Sequence, residues 1–192
     1  EENSVMRTVL MPNMMEVLAR NYTRNIDKVN AFEIGNTFVN NTQEDDVLPY
    51  EQYALCIGMY GKDEDFYSLK GVVEELFHVL GIKDPIFAGE ADLGAFHPGR
   101  CARISVISGE NGEPVQLGVM GEVHPDVAEQ YGMEGVRIYC CELMFDAIRD
   151  NSDRTILYTP LPKYPSTSRD IALLVEENLE VGRIEVLIRK EG

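Results

Sequence analysis

ARISVISGENGEPVQLGVMGEV, residues 102–123, reads as two strands folded back on each other. Ala102, Ile104 and Val106 alternate with more polar neighbours, and Val115–Val123 supplies a matching second arm. Between them stands Glu110-Asn111-Gly112-Glu113, whose Asn-Gly pair accepts the positive φ angles of a tight hairpin turn. Outward from this hairpin, residues 52–60 (QYALCIGMY) alternate with Tyr53, Leu55, Ile57 and Met59 on one face. Ala31–Val39 and Arg137–Leu143 read as further strands. The clearest helix is Asp65–Leu80, with Leu69, Val72, Val73, Leu76 and Leu80 inward and Gly81 as its stop. Pro12 opens another, striped by Met14, Val17, Leu18 and Tyr22. Short helices follow from Pro125 to near Gly132 and around Phe145–Arg149. Hairpin-connected strands with helices packed on them predict an antiparallel α+β layer, not a doubly wound parallel sheet.

The composition suits this. Of 192 residues 44% are hydrophobic and 26% charged, with 16 glycines and 9 prolines, which excludes collagen-like and wholly disordered chains. No apolar run approaches the roughly 20 residues of a membrane span, and Glu1-Glu2-Asn3 does not read as a signal peptide. The net charge of −16 is the reverse of what a free-standing nucleic-acid binder shows, so no DNA partner is expected. The acidity is uneven: residues 1–150 carry 11 bases against 26 acids, and residues 151–192 carry 6 against 7.

Pro160, Pro162 and Pro165, followed by Ser166-Thr167-Ser168, mark a boundary. The expected division is a core domain over 1–152, then a linker and a second domain's opening over 153–192. That second part offers one strand, Asp170–Glu176, and one amphipathic helix with Val181, Ile184, Leu187 and Ile188 inward. One strand and one helix cannot bury a core by themselves.

Chemistry is sparse. Cys56, Cys101, Cys140 and Cys141 lie in apolar runs without C-x-x-C spacing and read as buried thiols of a cytoplasmic protein. His78, His97 and His124 show no metal-ligand spacing. Asp45–Asp46 and Glu74–Glu75 read as solvated acids, and Gly-rich phosphate loops and a G-x-S-x-G elbow are absent. Two segments are more pointed: Phe96-His97-Pro98-Gly99-Arg100 enters a strand and Gly118–Pro125 (GVMGEVHP) leaves one. In both, proline holds the preceding histidine extended, for strand-end hydrogen bonding or for ligand binding.

Taken together, MRTVLMPNMMEVLARN (6–21), FEIGNTF (32–38), DFYSLKGVVEELF (65–77), FHPGRCA (96–102), LGVMGEVHPDV (117–127) and YTPLPKYPSTSRDIALLV (158–175) resemble the beta subunit of bacterial phenylalanyl-tRNA synthetase, in family order. The resemblance implies a class II aminoacyl-tRNA synthetase-like antiparallel sheet flanked by helices, then a truncated ferredoxin-like anticodon-binding domain. It implies a scaffold that pairs with the catalytic alpha subunit in an alpha2beta2 heterotetramer. ATP and magnesium would serve the holoenzyme without binding here, and tRNA would be met only through the complete beta subunit. Class II enzymes clamp the triphosphate with a motif 2 and a motif 3 arginine. The resemblance sets the motif 2 turn at Ile34–Asn40 and motif 3 near Tyr139–Met144, and neither has an arginine. Val39 and Met144 stand where the two would fall. No catalytic or metal residue is therefore expected.

By the same resemblance Met11, Met14, Met15 and Leu18 sit on the subunit-contact helix, although an ordinary core stripe reads equally well. His97, Arg100, Glu122 and His124 become remnants of a degenerate site with structural roles. Lys163 and Arg169 become candidates for tRNA contact; Arg169 alternatively pairs with Asp170 or Asp153. The rival functions are a free-standing non-catalytic paralogue acting as an interaction module, and a self-contained class II-like ligase. The two missing arginines speak against the latter.

Overall fold

The computed structural model describes residues 5–40, 48–108, 112–155, 158, 160–161, 163–177 and 179–191. The chain divides into two units, Glu1–Thr155 and Ile156–Gly192. Within the first, the elements run α1 (Met11–Tyr22), β1 (Val29–Val39), β2 (Tyr50–Tyr60), α2 (Phe66–Leu80), β3 (Ile86–Glu90), β4 (Phe96–Ser108), β5 (Glu113–Val123), α3 (Pro125–Gln130), β6 (Ile138–Met144) and α4 (Phe145–Asp150). The strands form one six-stranded sheet in the order β1-β2-β6-β5-β4-β3, and every pairing is antiparallel. Residues 109–111 of the expected hairpin turn lie outside the described residues. The ladder closes beside them at Ser108↔Glu113, and Gly112 has φ +64°.

Helices cover both faces of the sheet. Helix α1 packs on one, with Leu10, Met14, Leu18, Ala54, Cys56, Tyr60, Ile138 and Cys140 in its core. On the other face lie α2 and α4, over Leu55, Ile57, Met59, Ile104, Met120, Cys141 and Leu143. Strand β2 is consequently buried at every residue from Ala54 to Tyr60. Gly58 permits the close approach of α1: a Cβ there would collide with Met14 Cγ and Sδ and crowd Leu18 Cδ1. Helix α2 starts where the Asp65 carboxylate accepts the Ser68 N–H at 2.7 Å while the Ser68 hydroxyl returns a bond to the Asp65 backbone. It ends on Gly81, left-handed at φ +72° and pressed against the Asp153 carbonyl.

Several expectations are corrected. Met11, Met14, Met15 and Leu18 are each at most 8% exposed, so they are core of this chain and present no surface to a partner. Val17 and Tyr22, placed on the inward stripe, are exposed, and so is Val72 of α2, because the helices bury a narrower face than their apolar content suggests. Ile34–Val39, placed in the motif 2 turn, is strand throughout, paired with Tyr50–Leu55. Strand β3 was not anticipated. Strand β4 begins at Phe96 instead of Ala102, with a register shift between Phe96 and Cys101 that accommodates Pro98.

In the second unit no strand forms over 170–176, because a ladder needs a partner strand and none is present among the described residues. Its helix α5 (Val181–Glu191) carries no buried residue, and Val181, Leu187 and Ile188, expected inward, are exposed.

The cysteines are free and buried, as their apolar settings imply. Burial, with the Glu142 charge adding, pushes the Cys140 thiol up to about 12, and burial raises Cys56, Cys101 and Cys141 as well. A thiol held protonated and out of reach does not attack disulfide reagents. A chromogenic disulfide at neutral pH should therefore titrate no thiol in the native chain and four in denaturant; a rapid native reaction would show that the sheet opens.

Candidate functional site

The structure brings His97, Arg100, Glu122 and His124 to one end of the sheet, where β4 begins, β5 ends and α3 starts. Glu122 is only 6% exposed. Its Oε1 receives Arg100 Nη1 at 2.9 Å and has Arg137 Nε at 3.9 Å, so two guanidinium groups face one buried carboxylate. Tyr139 is its cross-strand neighbour, and burial followed by the Glu122 charge raises that phenol. The rings of His97 and His124 lie 6.5 Å apart, tilted by 30°. His97 Nδ1 bonds the Pro98 carbonyl at 2.7 Å, which requires its proton on Nδ1. His124 Nδ1 accepts the Asp126 N–H at 3.2 Å and caps α3, so its neutral ring carries the proton on Nε2. Both histidines thus close strand ends by hydrogen bonding.

This arrangement holds the fold locally and leaves no cation free for a phosphate. Arg100→Ala would strand the Glu122 carboxylate with only the longer Arg137 contact. The expected loss is about 2 kcal/mol in urea unfolding, below the roughly 3–5 kcal/mol of a fully enclosed pair because the Arg100 side chain is 45% exposed. Glu122→Gln should cost less, since both arginines can then turn to water. Equal losses would mean that packing, not charge, dominates this corner.

A second cluster escaped sequence reasoning. Glu142, on β6, accepts the Leu10 and Met11 N–H groups on Oε2 at 3.0 and 2.9 Å, and so caps the start of α1 from 131 residues away. Burial raises this carboxyl, opposed by those two backbone bonds and by Arg7. Nearby, Arg7 Nη1 meets Glu33 Oε1 at 2.6 Å and Arg7 Nε donates to the Asn36 carbonyl at 2.8 Å. The only signal for Glu142 was a single acid inside an apolar run, Ile138–Met144. On β4, Arg103 is held by Glu90 at 3.0 Å and Gln116 at 2.9 Å. An open cleft of about 600 Å³, lined by Tyr22, Asn25, Ile26, Tyr60, Lys62 and Arg137 among others, was also not foreseen.

In the second unit, the Lys163 ammonium lies 5.8 Å over the Tyr164 ring, and Arg169 Nη1 donates to the Ser168 carbonyl at 2.9 Å. Among the described residues no three His, Cys, Asp or Glu side chains could hold a metal ion, and no helix is long and apolar enough to cross a membrane.

Comparison with known proteins agrees with the resemblance. The family model described as the phenylalanyl tRNA synthetase beta chain CLM domain matches residues 1–145. The phenylalanine–tRNA ligase beta subunit of Clostridium acetobutylicum is 41% identical over 192 residues, that of Clostridium tetani 39% over 192 and that of Bacillus subtilis 32% over 203. Each match takes in 100% of this chain but only 23%, 23% and 24% of the relative. A model covering most of the sheet-bearing unit, and relatives aligned along the whole length, carry one conclusion: the chain belongs to the phenylalanyl-tRNA synthetase beta chain CLM domain family.

Proposed function

We propose that this chain is the class II synthetase-like, non-catalytic core of a phenylalanine–tRNA ligase beta subunit, followed by the opening of its ferredoxin-like anticodon-binding domain. It serves in the cytoplasm as a scaffold for the catalytic alpha subunit, within an alpha2beta2 ligase that charges tRNA with phenylalanine. ATP and magnesium act in the alpha subunit's site, and tRNA is engaged by the complete beta subunit, with Lys163 and Arg169 as candidate phosphate contacts. The observation that carries the silent-core reading is that the cations of the sheet are already used. Arg7, Arg100 and Arg103 are each bound to a carboxylate of the same chain. The last residues of β1 and β6, where the resemblance expects phosphate clamps, are Val39 and Met144. Adenylate formation needs cations on the triphosphate, and a site without them cannot stabilise the transition state.

Sedimentation of this chain with the cognate alpha subunit tests the scaffold. A heavier mixed species is expected, and two independent boundaries would remove the interface from this part of the protein. Phenylalanine-dependent pyrophosphate exchange should be absent from this chain alone; its detection would restore the self-contained ligase.

A further inference from the structure

The sheet ends at β1, and only half of that edge is covered. Phe38 donates its N–H to the Arg7 carbonyl at 2.8 Å, and the Asn36 carbonyl accepts from Arg7 Nε. Both residues therefore turn their backbone groups away from β2. Antiparallel pairing alternates, so Asn30, Phe32 and Ile34 turn their N–H and C=O groups to the same outer side. Among the described residues nothing is bonded to those groups. The side chains there are bare as well: Phe32 is 71% exposed and Ile34 51%.

Natural edge strands are usually guarded by lysine, proline, a bulge or a covering loop. The segment around Arg7 guards Asn36–Phe38, whereas Asn30–Ile34 has none of these devices. Its one charge, Glu33, points to the opposite face and is paired with Arg7. On the exposed face the apolar pair is bracketed by two asparagines that each hold a carboxylate: Asn30 bonds Glu64, and Asn36 bonds Glu51 at 3.3 Å.

We propose that the Asn30–Ile34 half of β1 is a docking edge that receives a strand of the partner subunit, apolar where it crosses Phe32 and Ile34 and cationic at its ends. The inference rests on the scaffold reading above and names the surface that reading lacked once Met11, Met14, Met15 and Leu18 proved to be core. Added strands bind through main-chain hydrogen bonds, with side chains of one face giving selectivity. Charge selects the occupant: carboxylates stand at both ends of the pair, and a second copy would bring another net −16 to the contact.

The test uses the full-length beta subunit and its alpha partner. Amide hydrogen exchange at Phe32 and Ile34 should slow by about 100-fold or more on assembly, as it does for groups that enter a stable ladder. Ile34→Pro removes an outward N–H without touching the β1–β2 ladder and should weaken assembly on the order of tenfold. Phe32→Lys, which leaves every backbone bond in place, should do the same by desolvation and keeps the test decisive if the proline variant fails to fold.

Normal assembly of both variants with these amides still exchanging fast would overturn the docking edge and leave the scaffold reading intact. Failure of the unaltered subunits to assemble would overturn the scaffold reading and this inference with it. Protection already present in the beta subunit alone would assign the edge to that chain itself, or to a second copy if it disappears on dilution. Either result would overturn the partner strand.

Discussion

Glu142→Leu is expected to cost roughly 2–5 kcal/mol of stability, because the Leu10 and Met11 N–H groups would be left buried without an acceptor. Glu142→Gln keeps an oxygen at the same place and should cost far less. The pH dependence separates the two effects. Folding raises the Glu142 pKa above the ordinary 4.5, so the folded chain holds this proton more tightly than the unfolded chain. Its contribution is therefore most favourable below the ordinary value and is lost as pH rises through the raised one. Glu64, Glu90 and Asp153 have lowered values, held by Lys28, by Arg103 and by Thr155 respectively; their contributions are lost as pH falls. Urea unfolding across a pH series should show the glutamine variant gaining on the parent as pH rises through the raised Glu142 value. It should show no change in that difference at lower pH. A constant offset at every pH would mean that Glu142 is not desolvated in solution.

Gly121→Ala should be the most damaging conservative change, at about 3 kcal/mol or more. Its new methyl would stand 2.5 Å from Cys101 Cβ and 2.8 Å from both the Arg100 carbonyl and Cys101 Cα. Two of these are backbone atoms, so no rotamer relieves the clash. Strand β4 is pinned there by Arg100 on Glu122 and by the Cys101 thiol on the Glu90 carbonyl. The contrasting substitution is Gly71→Ala in the exposed face of α2, where nothing lies within 4 Å. Helix propensity alone should make that variant up to about 1 kcal/mol more stable. Thermal unfolding of the pair checks both signs, and a Gly121→Ala chain as stable as the parent would show that β4 can slide.

What could be read in the amino-acid sequence was what is settled locally. Asp65, Ser68 and Gly81 fix both ends of α2 within the helix's own neighbourhood, and their reading needed no tertiary information. Period-two alternation found β2, yet it assigned one buried face where there are two, because Ala54, Cys56 and Gly58 are small and register weakly as core. Helix α1 failed differently: a methionine stripe reads the same whether it meets a sheet of its own chain or another subunit. The corner of His97, Arg100, Glu122 and His124 was assembled correctly from two motifs that the β4–β5 ladder brings together. Arg137 was missed there, since it lies on a third segment. Glu142 was invisible because its partners are backbone amides more than 130 positions distant, and no residue pattern encodes those.

The strand order has a consequence in time. Strands β1 and β2 can pair as soon as both exist, and β3, β4 and β5 form a second group by successive pairing. Only β6, the last strand made in this unit, joins them, lying between β2 and β5. From the release of Tyr60 by the ribosome to that of Ile138, about 80 residues must be synthesised, some 4–16 s at typical elongation rates. Throughout that interval two inner ladders stand open and α1 lacks its acceptor. The nascent chain is then most exposed to wrong pairing, and chaperone capture during synthesis should centre on β2 and β5.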